Sequence, residues 1–410
     1  MNRYNSYKDS GEKWLGEIPS HWKLIRSKYL WREKQNRSNS GKETLLSVSQ
    51  YDGVTPSKDE SRSESLEGYK VVNKNDLVIN IMLAWLGGLG VSKYEGIVSP
   101  AYCIYSQKGD NCSQYLHYLY RTPTYLAEFA RHSTGVVPSR WRMYTNDFGQ
   151  VLSLLPPLNE QQAIASYLDS ATSKIDAAIA REQKMIDLLN ERKQIIINHA
   201  VTKGLNPNAK LKDSGVDWIG EIPEGWETIP LRFVFEIRNG YTPSKSVKEY
   251  WEDGIIPWYR MEDIHKSGRI LHDSIQHITK KAIKGGGLFS AGSFILATCT
   301  VSIGEHAMLM VDSLANQRFI NLKIGEAYSS KYNPLYIYFY MFIVGKFCRH
   351  TSNSTTFQNA DINELKNFPI LLPSIEEQNS IVDRLKSRLK DLDETLETIA
   401  AALNYPISFF

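Results

Sequence analysis

YKDSGEKWLGEIPSHW, residues 7–22, returns as LKDSGVDWIGEIPEGW at residues 211–226, with ten of sixteen positions identical at a constant offset of 204. The shared residues include Lys8/Lys212, Asp9/Asp213, Ser10/Ser214, Trp14/Trp218, Pro19/Pro223 and Trp22/Trp226. A second pair follows at an offset of 217, LLPPLNEQQAI (154–164) against LLPSIEEQNSI (371–381), keeping Pro156/Pro373, Glu160/Glu377 and Gln161/Gln378. Self-similarity on this scale decides the fold before any single motif does. The chain is a tandem repeat of one plan: a conserved segment, a variable region, a second conserved segment and a helix. The two offsets differ by 13, so the second variable region carries 13 more residues.

Helices follow each second segment. Residues 160–200 contain no Gly or Pro and carry two interleaved heptad series, Ile164-Ala171-Ala178-Met185-Arg192 and Leu168-Ile175-Glu182-Leu189-Ile196. In the second copy Val382, Leu385, Leu389, Leu392, Leu396, Ile399 and Leu403 are spaced alternately by 3 and 4. Such spacing keeps one narrow apolar stripe toward a partner helix, the seam of a coiled coil. A globular surface helix shows a wider stripe, so covering only its own domain is the weaker alternative. Asn159 and Ser374 are candidate N-caps, and Gly204 with Pro207 stops the first helix. The predicted fold is α+β: two globular mixed α/β domains separated by two long antiparallel coiled-coil helices, with a pseudo-two-fold internal repeat. The expected divisions are 1–155 and 206–372 for the domains, and 156–205 and 373–410 for the helical spacers.

Composition bounds the function. The chain has 410 residues, 42% hydrophobic and 23% charged, the profile of an ordinary soluble protein. The longest strongly apolar run, Tyr336 to Val344, is far shorter than the ~18 residues of a membrane span. Cys103, Cys112, Cys299 and Cys348 lack metal-ligand spacing and fit a reducing cytoplasm, so a cytoplasmic location without membrane association is expected. Net charge is only +3, but residues 1–155 hold 20 Lys and Arg against 15 Asp and Glu, a weak nucleic-acid signal. No Walker A sequence, H-E-x-x-H or G-x-S-x-G is present. Asn333-Pro334-Leu335-Tyr336 reads as a helix start instead of a methyltransferase motif, and the Arg131-His132 and Arg349-His350 pairs read as helix ends.

The K-D-S-G-x-x-W-[LI]-G-E-I-P-x-x-W segment, and L-L-P-x-[LI]-x-E-Q-x-x-I opening a long helix, resemble the conserved regions of Type I restriction-modification specificity subunits. The resemblance covers the whole chain and the order of its parts. It implies two target recognition domains, each reading half of a bipartite sequence in double-stranded DNA. It also implies a non-catalytic subunit that assembles with two methyltransferase subunits and with restriction subunits. No cofactor is expected in the chain itself; S-adenosylmethionine, ATP and magnesium would belong to the partners. The alternative is a coiled-coil scaffold without sequence-specific DNA contact.

Ser99-Pro100-Ala101-Tyr102 resembles a turn of the family's recognition domains, and Ile256–Ile264 resembles the strand and loop that open another subtype. Base edges favour Arg on guanine and Asn or Gln on adenine. Arg140, Trp141, Arg142 and Tyr144 are therefore the candidates in the first domain. Their counterpart, counted back from the shared Leu-Pro, is Phe357-Gln358-Asn359, making Gln358 and Asn359 candidates. Tyr259 and Arg260 are further candidates, while Lys280, Lys281 and Lys284 suit phosphate contacts.

Overall fold

The computed structural model describes residues 4–57, 65–137, 140–216, 219–299, 302–352 and 359–403. The chain forms two compact units, Met1–Ala177 and Ala178–Phe410. The division falls within the long helix Leu158–Lys203, so that helix contributes residues to both units.

In the first unit a four-stranded antiparallel sheet runs in the order Trp31–Lys34, Tyr102–Gln107, Leu77–Asn80, Leu89–Val91. The second unit repeats it as Phe235–Asn239, Phe319–Ile324, Phe294–Ala297, His306–Leu309, with a fifth, parallel strand Ile270–Leu271. Register is kept to the residue. Tyr102 pairs with Asn80 and Phe319 with Ala297; Leu77 pairs with Val91 and Phe294 with Met308, all at offset 217. The first strand keeps offset 204: Trp31 faces Gln107, and Phe235 faces Ile324. The 13 extra residues therefore lie between the first strand and Phe294, a stretch that supplies Ile256–Tyr259 and His277–Ile278, two strands of a separate three-stranded sheet completed by Leu314–Ala315.

Register this strict needs anchors, since a one-residue slip would turn every side chain to the other face. The residues shared by the repeats supply them. Trp22 Nε1 donates to Glu160 at 2.9 Å, and Trp226 Nε1 donates to Glu377 at 2.9 Å. Gln161 Nε2 donates to the Pro156 carbonyl at 2.9 Å, and Gln378 Nε2 to the Pro373 carbonyl at 3.0 Å. Each Gln is buried, and its Oε1 caps the backbone N–H of Cys112 or Asn333. The strands after the tryptophans pair with those before the helices, Arg26 with Leu152 and Pro230 with Pro369. The K-D-S-G segment folds on itself identically: Asp9 and Asp213 accept from the amides of Gly11 and Gly215 at 2.9 and 3.0 Å.

The helix caps are partly as expected. Ser374 Oγ accepts from Glu377 N at 3.2 Å, Asn333 Oδ1 from Leu335 N at 2.8 Å, and Gly204 ends its helix with φ +71°. Asn159 is not a cap; it lies inside the first turn, and the Pro157 carbonyl takes the amides of Glu160 and Gln161. The C-terminal helix Ile375–Leu403 keeps its seam, with Val382, Leu385, Leu389 and Leu396 buried. The long helix keeps its seam only in part. Where it pairs, Ile186, Leu189, Lys193, Ile197 and Ala200 are buried, of which Leu189 falls on the expected series, while Met185 is 46% exposed and Ile175 57%. Residues 172–182 are exposed on every face, so the 3.5-residue register carried from the helix start has drifted before pairing begins. Within the second unit the two helices run antiparallel. Ile186 and Leu189 cluster with Leu396 and Ala400, Lys193 pairs with Asp393, and Ile197 shares a core with Leu385 and Leu389.

Arg131 and His132 close the helix Pro123–Arg131, and Arg349 and His350 lie in the last turn of Pro334–Thr351. That second helix buries the long apolar run, and among the described residues no helix is long and apolar enough to cross a membrane.

Candidate nucleic-acid interface

In each unit the edge opposite the anchors gathers the loops between sheet strands. In the first unit, residues 81–88 join Leu77–Asn80 to Leu89–Val91. They meet segment 134–144, where Met143 N donates to the Ile81 carbonyl at 3.0 Å and Thr134 bridges Arg142. Trp141 stacks edge-on against Trp85 with ring centroids 5.3 Å apart. Arg140 is exposed and Tyr144 is 52% exposed. Arg142 is half-buried, and its guanidinium donates to the Trp141 carbonyl at 2.8 Å. The four candidates thus lie in one segment, with Arg140 and Tyr144 the most open to a ligand. Trp85 was invisible to the sequence reading, because only the strand pairing brings its loop against Trp141.

Arg121 holds this edge in place. Its guanidinium donates to the carbonyls of Gly87 and Leu89 at 3.2 and 2.8 Å, and to those of Gln50 and Tyr51 at 3.0 and 2.6 Å. Beside it, His117 is half-buried and its Nδ1 accepts from Val91 N at 3.1 Å. Burial, with the positive charges of Arg121 and Lys93 outweighing Asp169, pushes its pKa down to about 4. The ring stays neutral in the folded chain while an unfolded histidine protonates near pH 6.5. Stability contributed by this group is therefore intact above pH 6.5 and lost as pH falls toward about 4, by on the order of 3 kcal/mol. Urea unfolding at pH 7 and pH 5 is expected to show the first unit weakening on acidification, with a smaller slope in His117→Gln; an equal slope in both would remove His117 as the cause.

In the second unit the same backbone contact recurs. Ala360 N donates to the Thr298 carbonyl at 2.8 Å, offset 217 from Met143 and Ile81; Asn359, the counterpart of Arg142, bridges Cys299, whereas Arg142 bridges Thr134. Asn359 is exposed at this edge. Gln358 and Phe357 lie outside the described residues. Tyr259 is not a surface group: it is fully buried in a strand flanked on both sides, and its hydroxyl donates to the Leu271 carbonyl at 3.4 Å. The sequence pattern could not show this, since Ile256–Tyr259 is buried at every position and has no alternation to read.

Arg260 begins the next helix, where its amide donates to Asp263 Oδ2 at 2.7 Å and its guanidinium pairs with Glu262 at 2.7 Å. It lines a cleft of about 320 Å³ together with Lys245, Thr242, Asn316, Gln317 and Arg318. Lys245, Gln317 and Arg318 were not foreseen. For the last two, the signal was the offset of 217, which places Asn316-Gln317-Arg318-Phe319 on Ser99-Pro100-Ala101-Tyr102. The three lysines differ in their partners. Lys281 pairs with Glu249 at 2.6 Å, which holds that carboxyl below its usual range; Lys280 is exposed; Lys284 lies over the Tyr241 ring at 4.8 Å.

Comparison with known proteins finds similar chains of one kind. Residues 223–405 match the family described as the Type I restriction modification DNA specificity domain. The Type I restriction enzyme EcoprrI specificity subunit of Escherichia coli is 41% identical over 162 residues, 39% of this chain and 40% of that one. The MjaIX specificity subunit of Methanocaldococcus jannaschii is 33% identical, over 47% of this chain and 46% of that one. In these two relatives the match thus spans less than half of the relative's own length. The MjaVIII specificity subunit of the same archaeon is 25% identical over 77% of this chain and 73% of its own. Among solved structures, one described under the complex assembly and conformational transition of the type I R-M system has a TM-score of 0.66 at 16% identity, covering 94% of both chains. The HsdS subunit from Thermoanaerobacter tengcongensis gives 0.50 at 16% identity, over 94% of this chain and 92% of its own. With its tandem repeat and anchored register, the chain is similar to these Type I restriction-modification specificity subunits, and its residues 223–405 match their DNA specificity domain.

Proposed function

We propose that this chain is the sequence-reading, non-catalytic subunit of a Type I restriction-modification assembly, each unit reading one half of a bipartite DNA target. One observation carries the proposal. The scaffold of the two units agrees in strand register to the residue, while the side chains on the loop edge have diverged, Arg142 standing where the second unit has Asn359. A duplicated frame with unlike edges suits two unlike half-sites, since base edges are told apart by the donors and acceptors placed against them. In this reading two methyltransferase subunits and the restriction subunits are the partners, and S-adenosylmethionine, ATP and magnesium are theirs to hold. The assembly works in the cytoplasm, where its DNA is.

The test is a map of methylated adenines in cells expressing the chain with its methyltransferase. A bipartite motif that disappears when the chain is deleted is the expected result; a motif that persists without the chain would refute the proposal. A scaffold without base contact predicts equal affinity for specific and random duplexes at a stated salt concentration. Arg140→Ala and Arg142→Ala are each expected to relax one half-site only, by about 1–3 kcal/mol where a bidentate contact is lost.

A further inference from the structure

We propose that Arg318, assisted by Gln317, reads a guanine in the half-site assigned to the second unit; the assignment rests on the DNA-reading function above. The turn that carries them is one device built twice. Phe319 N donates to the Asn316 carbonyl at 3.1 Å, and Tyr102 N to the Ser99 carbonyl at 3.0 Å. The first side chain of each turn closes it from inside, Asn316 Oδ1 accepting from Arg318 N at 2.9 Å and Ser99 Oγ from Ala101 N at 3.4 Å. Both turns lead into strands of equal register, Phe319 opposite Ala297 and Tyr102 opposite Asn80. The Arg318 carbonyl is held further by Thr298 N at 3.0 Å. A backbone fixed this firmly presents its middle residues at a constant place. In the first unit those are Pro100 and Ala101, which offer no side-chain donor. In the second they are Gln317 and Arg318, both exposed.

The cleft beneath them is a surface of donors. Gln317 Oε1 takes the Thr242 hydroxyl, Asn316 Oδ1 takes the Arg318 amide, and Glu262 takes the Arg260 guanidinium at 2.7 Å. Each of these groups already takes one donor from the protein itself. Among the described residues no carboxylate pairs with the guanidinium of Arg318, and its backbone is fixed where the fork can project from the cleft. A base edge that meets such a surface must bring acceptors. Guanine does so with N7 and O6, which match the two parallel N–H groups of an arginine fork, whereas adenine and cytosine present an amino group that needs an acceptor in return.

The experiment uses the assembled complex with its methyltransferase subunits. Methylated motifs and duplex affinities across a salt series are measured for the wild type, Arg318→Ala, Arg318→Lys and the double change Gln317→Pro with Arg318→Ala, which installs the first unit's turn. Arg318→Ala is expected to lose discrimination at a single G·C position of one half-site, about 10- to 100-fold, with the other half-site unchanged. Arg318→Lys is expected to keep most of the affinity but not the discrimination, because an ammonium is a point charge without a fork. The double change is expected to behave as Arg318→Ala. Uniform weakening on all sequences with a salt slope lower by about one would mark a phosphate contact and overturn the assignment. A wild-type motif left unmoved by Arg318→Ala would overturn the assignment alone. Absence of any chain-dependent motif in the wild type would overturn the functional reading and the assignment with it.

Discussion

Trp226→Ala is expected to destabilise the second unit by about 3–5 kcal/mol, while the matching change Trp22→Ala costs the first unit less, about 1–3 kcal/mol. The two tryptophans are the same residue of the repeat and make the same 2.9 Å bond to a glutamate. They differ in cover. Trp226 is 2% exposed, and Gly204, the residue that ends the long helix, approaches so closely that a Cβ there would lie 3.3 Å from the indole and 2.9 Å from Glu377. Trp22 is only half-buried, with the Tyr4 ring 5.7 Å away and His21 sharing Glu160. Removing Trp226 therefore opens a cavity where conserved segment, helix end and second conserved segment meet. Removing Trp22 exposes a site that water already reaches. Trp226→Phe keeps much of the apolar volume but strips Glu377 of its donor, for about 1–2 kcal/mol. Urea unfolding read by hydrogen exchange in each unit separates the effects. Equal losses at Trp22 and Trp226 would show that cover by the helix end contributes nothing.

These anchors were legible in the sequence as identities, though not as contacts. Repetition marked Trp22, Glu160 and Gln161 as structural, and the offsets of 204 and 217 fixed which residues correspond; the hydrogen bonds between them needed the fold. The seam of the C-terminal helix was legible because 3/4 spacing persists through the stretch that pairs. On the long helix the heptad series began at Ile164, beside Ala165 where the helix covers the first unit's core, and was carried through an exposed stretch; one series still meets the pairing face at Leu189, while the other, at Met185 and Arg192, falls one residue short of Ile186 and Lys193. Charge and residue type pointed to Arg140 and Arg260 at the loop edges, but could not distinguish them from Tyr259, which is buried one position before Arg260. Trp85, Gln317 and Arg318 reach their sites through strand pairing between segments distant in sequence. That information lies in topology, not in local composition.

Gly304→Ala is expected to cost the second unit about 2–5 kcal/mol, combining backbone strain with overpacking, and Gly345→Ala is expected to destabilise although helix propensity predicts a gain. Gly345 lies inside the helix Pro334–Thr351, where alanine is ordinarily better than glycine by about 1 kcal/mol. The structure reverses that expectation. A Cβ at Gly345 would stand 2.2 Å from the Gly304 carbonyl oxygen, and a Cβ at Gly304 would stand 2.1 Å from the Gly345 carbonyl oxygen. Both obstacles are backbone, so neither can be relieved by turning a side chain. Gly304 also holds φ at +82°, a conformation that penalises any residue with a Cβ. The contact locks the loop after Phe294–Ala297 against the helix, and Ser302 and Cys299 of the same loop line the cleft beside Arg318. Separating loop from helix moves one wall of that cleft. Gly345→Ala is therefore expected to lower both the unfolding free energy and, under the proposed function, the discrimination at the half-site assigned to the second unit, with the other half-site unaffected. The combined Gly304→Ala and Gly345→Ala chain is expected to lose less than the sum of the two changes, because the first already parts the backbones that the second would collide with. Unfolding measured alongside the methylation motif decides it: a Gly345→Ala chain more stable than the wild type would show that the helix yields easily and that the loop is not held by this contact.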